Sequence, residues 1–445
     1  MLFCAGPNLM FRSPLVNRLV RLVLHKDIES VFRGMAVLAS GSALAKLIGV
    51  LSLPVLTRLY TPGDFGIMAV FLALVQIVTP ILTLRYGLAI PLARRDATAM
   101  NVVAVSVLTL VGLGAIMALI LWANATPVLR LFSMEELAAW WWLIVAGCMG
   151  GAIYEILSYW ATRRRSYKIV ARTNVTQRLW GSLIKIGLGL ISFGAGGLMI
   201  GQVVALSGGT LAMTQAFWTD FKRSIKHVRP SRMRRIALLY GSFPIYRVPS
   251  QFLLQFAKQL PLIGFAYLYT PAITGALSVA MSTLLLPLGL IGTAMGNALY
   301  AEAAKLGLKN RYKIYKMAKQ TQLRLFFASV GPALVLFVFG PQLFALILGQ
   351  EWEMAGHFAS ILAAVTVFQF TSAPLMQLLN IFRDQSLFLL INVFRSIAVC
   401  AVFLVAAKLN FSEDRALSIY SIVMVIFYIS ISYVVMARLK DGDAN

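Results

Sequence analysis

Twelve apolar runs, each long enough to cross a bilayer, follow one another along the chain with short polar gaps between them. They lie near 34–56, 64–84, 98–123, 139–161, 170–192, 197–219, 243–269, 272–299, 321–340, 356–380, 384–407 and 415–437. A spanning helix needs about 20 apolar residues. Sparsely charged runs of this length read as helices. The pattern therefore predicts an all-α polytopic membrane protein with about twelve transmembrane helices, and no gap can hold a sizeable soluble domain. Ahead of the first run, Leu15, Leu19, Leu22 and Val23 are interleaved with Arg18, Arg21 and Lys26. Residues 14–30 thus read as a basic amphipathic helix on the membrane surface, within an N-terminal segment 1–33. The charges in this stretch, and the lack of a small-residue cleavage site before the first span, argue against a cleaved signal peptide.

Composition agrees. The 445 residues are 59% hydrophobic and 13% charged, where a soluble domain carries about 25% charged residues. Net charge is +24, and its placement is informative. Alternate connections receive Arg94 and Arg95, then Arg163, Arg164, Arg165 and Lys168. The run 222–235 follows, then Lys305, Lys309, Arg311, Lys313, Lys316, Lys319, Arg383, Arg438 and Lys440. The other connections hold little beyond Arg58, Arg130, Lys408 and Arg415. The positive-inside rule then predicts a multi-pass protein with both termini cytoplasmic. Trp140, Trp141 and Trp142 at the outer mouth of the fourth span suit an aromatic belt. The basic run 222–235 reads as a solvated inter-lobe linker that also meets anionic lipid, and not as a nucleic-acid site. Cys4, Cys148 and Cys400 are far apart, and His25, His227 and His357 form no local motif, so no metal site is expected.

The linker divides six spans from six: an N-lobe over 34–220, the linker 221–240, a C-lobe over 241–440 and a tail 441–445. An internal repeat supports this division. Leu59-Tyr60-Thr61-Pro62, followed by Gly66, recurs as Leu268-Tyr269-Thr270-Pro271, followed by Gly275, 209 residues later. An even number of spans separates the copies, so the halves share one orientation about an axis along the membrane normal. Two such lobes with a cleft between them can alternate access.

Charges inside spans cost about 2.5–3.5 kcal/mol each on insertion scales. Lys46 lies mid-span in the first helix and Lys258 mid-span in the seventh, helices that the repeat makes equivalent. Lys185 and Arg395 are also deep, while Arg247 and Arg85 lie nearer the cytoplasmic side. Glu155 is the one acidic side chain well inside a span, and Arg178 lies at a depth suited to pair with it; a proton relay is the other role open to Glu155. A cationic interior selects an anionic ligand carrying phosphate, pyrophosphate or acidic sugars.

The stretch 39–95, with Tyr159-Trp160, GLMIGQV (197–203), FPIYRVPS (243–250), PLGLIGTAMGNALYAEAA (287–304) and GPQLFALILGQEWEMAG (340–356), resembles Wzx-type O-antigen flippases. The resemblance covers nearly the whole chain. It implies membership of the multidrug/oligosaccharidyl-lipid/polysaccharide exporter superfamily, with two six-helix lobes in a V. It also implies an undecaprenyl-diphosphate-linked oligosaccharide as substrate, moved to the periplasmic leaflet of the bacterial inner membrane. The polymerase and chain-length proteins of the same pathway are the implied partners. The family's cationic-cavity role would fall on Lys46, Arg85 and Lys258. The chain departs from the family at Arg85-Tyr86-Gly87, where Arg-Tyr-Glu is common, and at Lys46, where Gln is common. Both departures make the cavity more cationic and imply a more acidic sugar.

Two other classes compete. A membrane polymerase, ligase or acyltransferase would want a long periplasmic loop or a deep histidine, and neither is present in the sequence. No catalytic residue and no cofactor is assigned. An ion-coupled multidrug antiporter would want carboxylates within the spans, and Glu155 alone offers one.

Overall fold

The computed structural model describes residues 14–130, 134–287, 291–306, 310–378 and 385–440, and among them there is no strand. The first half of the chain contains α1 (Pro14–Leu59), α2 (Pro62–Leu82), α3 (Asp96–Arg130), α4 (Trp141–Arg163), α5 (Tyr167–Leu190), α6 (Ala195–Ser207) and α7 (Thr210–Ala216). Two short helices follow, α8 (Trp218–Ile225) and α9 (Pro230–Leu239). The second half contains α10 (Val248–Leu268), α11 (Pro271–Pro287), α12 (Thr293–Leu306), α13 (Arg311–Leu348), α14 (Glu353–Leu378), α15 (Gln385–Lys408) and α16 (Glu413–Lys440).

Helix occupies each of the twelve predicted spans among the described residues. Nine stretches among those residues are long and apolar enough to cross a membrane, from Ala36–Leu59 to Glu413–Lys440. Two of the remaining spans are polar. α5 carries Arg172, Arg178 and Lys185, and α10 carries Gln251, Gln255, Lys258 and Gln259.

Three details differ from the sequence reading. The amphipathic stretch and the first span form one continuous helix, α1. Only Gly34 stands between them, and one glycine costs a helix about 1 kcal/mol, too little to break it. Residues 1–13 of the predicted N-terminal segment, and the tail 441–445, lie outside the described residues. The sixth span divides into α6 and α7 at Gly208-Gly209, where the Gly209 N–H turns to the Gln177 side chain at 3.3 Å. The linker is not free in solvent, because α8 and α9 fold back onto α3.

The helix packing repeats between the halves. α1 packs on α5 as α10 packs on α15; α2 on α4 as α11 on α14; α4 on α6 as α14 on α16. One buried cluster joins Phe71, Leu110, Ile144, Trp160 and Met199 of the first half. A second joins Phe265, Leu277, Phe358, Val399 and Tyr420, and takes in Leu56, Tyr60 and Phe65 from the first half. The halves meet where α2 packs on α10 and α11, with α1 against α11.

Each letter of the repeated motif has a structural reason. The Tyr60 hydroxyl donates to the Lys185 carbonyl at the far end of α5 (2.6 Å), and the Tyr269 hydroxyl donates to the Phe411 carbonyl just past α15 (3.0 Å). Each tyrosine thus pins its helix pair. Thr61 caps α2 in a capping box with Asp64, and the Thr270 hydroxyl accepts from the Ile273 N–H at 3.4 Å. Pro62 and Pro271 occupy the first helical turn, where a missing N–H costs nothing. The glycines serve the seam between the halves. A Cβ on Gly66 would run into the Pro271 carbonyl, and a Cβ on Gly275 into the Pro62 carbonyl. The reciprocity puts the two motifs side by side at one end of the molecule, as a parallel repeat requires.

Candidate functional site: a closed seam above a cationic interior

Beyond the glycine contact, the motif end of the seam is closed by Trp352. It lies in a 3-10 turn between α13 and α14 and is fully buried. Its indole N–H donates to the Thr57 carbonyl at 2.9 Å, and its ring meets Phe65 edge-on at 4.9 Å. Thr57 lies in the last turn of α1, where helix carbonyls lack intrahelical partners. A residue of the second half therefore caps a helix of the first. Deeper in the seam, the Gln259 side chain of α10 donates to the Gln76 side chain of α2 at 2.9 Å. These two amides form a polar tie inside otherwise apolar surface.

Lys46 and Lys258 lie below this closure. Both are exposed in the bare protein. At 1.5 Å per residue, they sit roughly 20 and 15 Å along their helices from the motif ends. On α1, helical spacing puts Lys46 on the stripe of Leu53 and Thr57, and Thr57 touches the second half. Leu44, Leu47, Leu51 and Val55 form a different, exposed apolar stripe, suited to lipid. Lys46 therefore shares the side of α1 that carries the Thr57 contact with Trp352. On α10, Arg247 and Lys258 are eleven residues, or three turns, apart and share a face. Arg247 ends a single π turn at the entry to α10 and is exposed.

Arg395 lies behind Lys258 and within reach of its charge. Its guanidinium packs 5.9 Å from the Tyr428 ring centroid and lies close to the Tyr420 side chain. Both tyrosines are on α16, so α15 and α16 hold this cation in place. Lys185 is placed differently from the cleft position expected of it. It crosses Gly201 and ends on the Gln202 side chain at 2.7 Å, between α5 and α6.

The acid also finds another partner than the one expected. Glu155 pairs with Arg85 at 2.7 Å, not with Arg178. Arg85 has φ 56°, a left-handed conformation in the turn after α2 that swings its side chain toward α4. The Tyr159 hydroxyl donates to the same carboxylate oxygen at 2.9 Å. Arg85 is therefore a neutralised structural cation, 13% exposed, and not a free lining group. Arg178 is exposed on α5, two turns before Lys185.

Among the described acids, Asp64, Asp96, Glu135, Glu351, Glu413 and Asp414 lie at helix ends or in connections. Among the described residues, no group of three His, Cys, Asp or Glu side chains could hold a metal ion. The chemistry on offer is electrostatic. Fixed cations at mid-depth can hold an anion that water no longer solvates. Sequence reasoning missed Trp352, Gln76, Gln259 and the seam role of the two glycines. The fixed spacing of Gly66 and Gly275 was a usable signal; for Trp352 no local pattern exists.

These features, a parallel-repeated helical bundle closed at one end above a charged interior, define a membrane transporter fold. Solved structures share it. The chain superimposes on the lipid II flippase MurJ, in an inward closed conformation, with a TM-score of 0.67 at 12% identity, covering 90% of this chain and 87% of that one. An inward-facing multidrug resistance MATE family transporter of the MOP superfamily gives 0.59 at 15% identity, covering 92% and 95%. The Vibrio cholerae MATE transporter VcmN gives 0.52 at 14% identity, covering 92% and 96%. A search among curated proteins finds no match. Residues 55–357 match the family described as polysaccharide biosynthesis protein. The chain belongs to that family.

Proposed function

We propose that the protein is a flippase for an undecaprenyl-diphosphate-linked oligosaccharide, working by alternating access in the bacterial inner membrane. The basic end is cytoplasmic and the motif end periplasmic. The lobes 34–220 and 241–440 enclose a V-shaped cleft that takes the headgroup from the cytoplasmic leaflet and releases it outward. The observation that carries this reading is the pair Lys46 and Lys258. They stand at similar depth on helices related by the repeat, in a chain of the polysaccharide biosynthesis family. A diphosphate is the kind of anionic ligand that two cations at this depth can hold.

Multidrug transport is the second reading, favoured by the shared MATE fold. An organic cation would need a carboxylate in the cleft, and Glu155 is held by Arg85. The two readings separate in a strain lacking its own O-antigen or capsule flippase. Expression should restore surface polysaccharide and clear lipid-linked repeat units from the cytoplasmic leaflet. Restored resistance to cationic drugs without restored polysaccharide would favour the second reading.

A further inference from the structure

The segment between the halves carries Lys222, Arg223, Lys226, Arg229, Arg232, Arg234 and Arg235, all exposed. Keeping positive charge on one side of the membrane needs no ordered structure, yet this segment is ordered in detail. Asn101, 1% exposed on α3, donates to the His227 carbonyl (3.0 Å) and accepts from the Arg229 N–H (3.3 Å). Asp220 of α8 pairs with Arg164, just past α4, at 2.9 Å. The Tyr86 hydroxyl donates to the Ala237 carbonyl of α9 at 3.3 Å. Phe217, Ser224 and Ile236 are buried beneath.

Docking fixes which faces stay free. On α8 the free face presents Trp218, 51% exposed, and Ile225, 58% exposed, beside Lys222 and Lys226. Lys222 lies 5.3 Å from the Trp218 ring centroid. On α9 the free face presents Leu238, 75% exposed, and Leu239, 68% exposed, among Arg232, Arg234 and Arg235. The nearby acids are taken up, Asp220 by Arg164 and Asp96 by Arg163 and Arg164. The free faces therefore combine large apolar side chains with uncompensated cations. Nucleic acid would match the cations but leave the leucines and Ile225 in water. A bilayer surface of anionic phospholipid takes both.

We propose that α8 and α9 form a built docking site for anionic phospholipid headgroups, held to the first half by Asn101, Arg164 and Tyr86. This goes beyond the flippase reading and does not need the lipid-linked cargo. The test uses the full protein reconstituted in phosphatidylcholine bilayers containing either brominated phosphatidylglycerol or brominated phosphatidylcholine. The Trp218 signal is obtained by difference from Trp218→Phe. Each cation near the surface contributes enough attraction for the anionic quencher to win by about threefold or more. Arg232→Gln/Arg234→Gln/Arg235→Gln, on exposed positions, should remove most of that preference. Asn101→Ala, which changes no charge, should also reduce it, because the faces are no longer presented together. Equal quenching by the two lipids would overturn the proposal, as would quenching by neither or tight binding of RNA in place of lipid. Unchanged preference in Asn101→Ala would leave plain charge attraction and overturn the built site. None of these outcomes bears on whether the cargo is flipped.

Discussion

The glycine contact between the two halves makes a sharp prediction. Gly66→Ala adds one carbon to α2, and the structure puts it against the backbone carbonyl of Pro271. Gly275→Ala does the same from α11 against Pro62. Neither clash can be relieved by a side-chain rotation, because the opposing atoms are backbone in a helix's first turn. Normal carbon contact begins near 3.5 Å, so the seam must widen by roughly 1 Å or more. Overpacking of this kind costs about 1–3 kcal/mol. Applied to the closed state alone, that shifts the closed-to-open ratio by about 5–150-fold. The assay places a cysteine at Thr57, buried at 4% exposure, in a background with Cys4, Cys148 and Cys400 replaced. Labelling by a membrane-impermeant thiol reagent from the motif side is then timed. Either glycine variant should speed labelling at least fivefold, with protein abundance kept. Gly49→Ala and Gly112→Ala, where an added carbon meets nothing within 4 Å, should leave the rate unchanged. Equal rates in all four variants and the parent would refute the seam as the closed gate.

Other substitutions test neighbouring parts of the account. Trp352→Phe keeps the packing on Phe65 but loses the bond to the Thr57 carbonyl, and should lower thermal stability by about 1 kcal/mol; an unchanged melting temperature would argue against the cap. Glu155→Gln strands the Arg85 guanidinium at 13% exposure, and should cost about 3–5 kcal/mol, seen as reduced abundance and melting temperature. The double variant Arg85→Gln/Glu155→Gln should recover most of that loss, and no recovery would sink the pair. Lys46→Gln and Lys258→Gln should impair transport at near-normal abundance, with Glu at either position worse than Gln; full polysaccharide export by both Gln variants would remove them from the site.

Much of this architecture is legible in the sequence because lipid leaves the chain few choices. Each span must satisfy its own backbone hydrogen bonds, so apolar length alone located the helices. The repeated Leu-Tyr-Thr-Pro string was legible for a different reason: capping and first-turn proline are local chemistry, written in adjacent residues. The break at Gly208-Gly209 carried an ordinary signal inside a run whose hydrophobicity masked it. Continuity of α1 was hidden because a change from amphipathic to apolar pattern does not by itself end a helix. Long-range partners were not legible. Trp352 and Thr57 are 295 positions apart, and depth alone allowed Glu155 two arginines. The left-handed turn at Arg85 decided between them, and no propensity in Leu84-Arg85-Tyr86 announces it.

The site was legible only as a class. Cations deep in a membrane protein are costly and so point to function, which singled out Lys46, Lys258, Arg395, Lys185, Arg247 and Arg85 as candidates. Depth did not show that Lys185 turns between α5 and α6 to Gln202. That contact depends on Gly201 letting the lysine cross it, a matter of three-dimensional packing.

The central claim is that an anionic headgroup crosses through this cationic interior. With the inside negative, outward movement of a headgroup carrying two net charges releases roughly 4–5 kcal/mol per 100 mV, enough to drive the step without ATP. The most direct measurement is translocation of a fluorescent lipid-linked diphosphate oligosaccharide in proteoliposomes, with the potential set by valinomycin and no proton or sodium gradient. The account predicts flipping toward the motif face that accelerates with the potential, survives Glu155→Gln if enough of that variant folds, and falls at least tenfold in Lys258→Gln. Flipping that ignores the potential and follows an ion gradient, or is unchanged in Lys258→Gln, would contradict it.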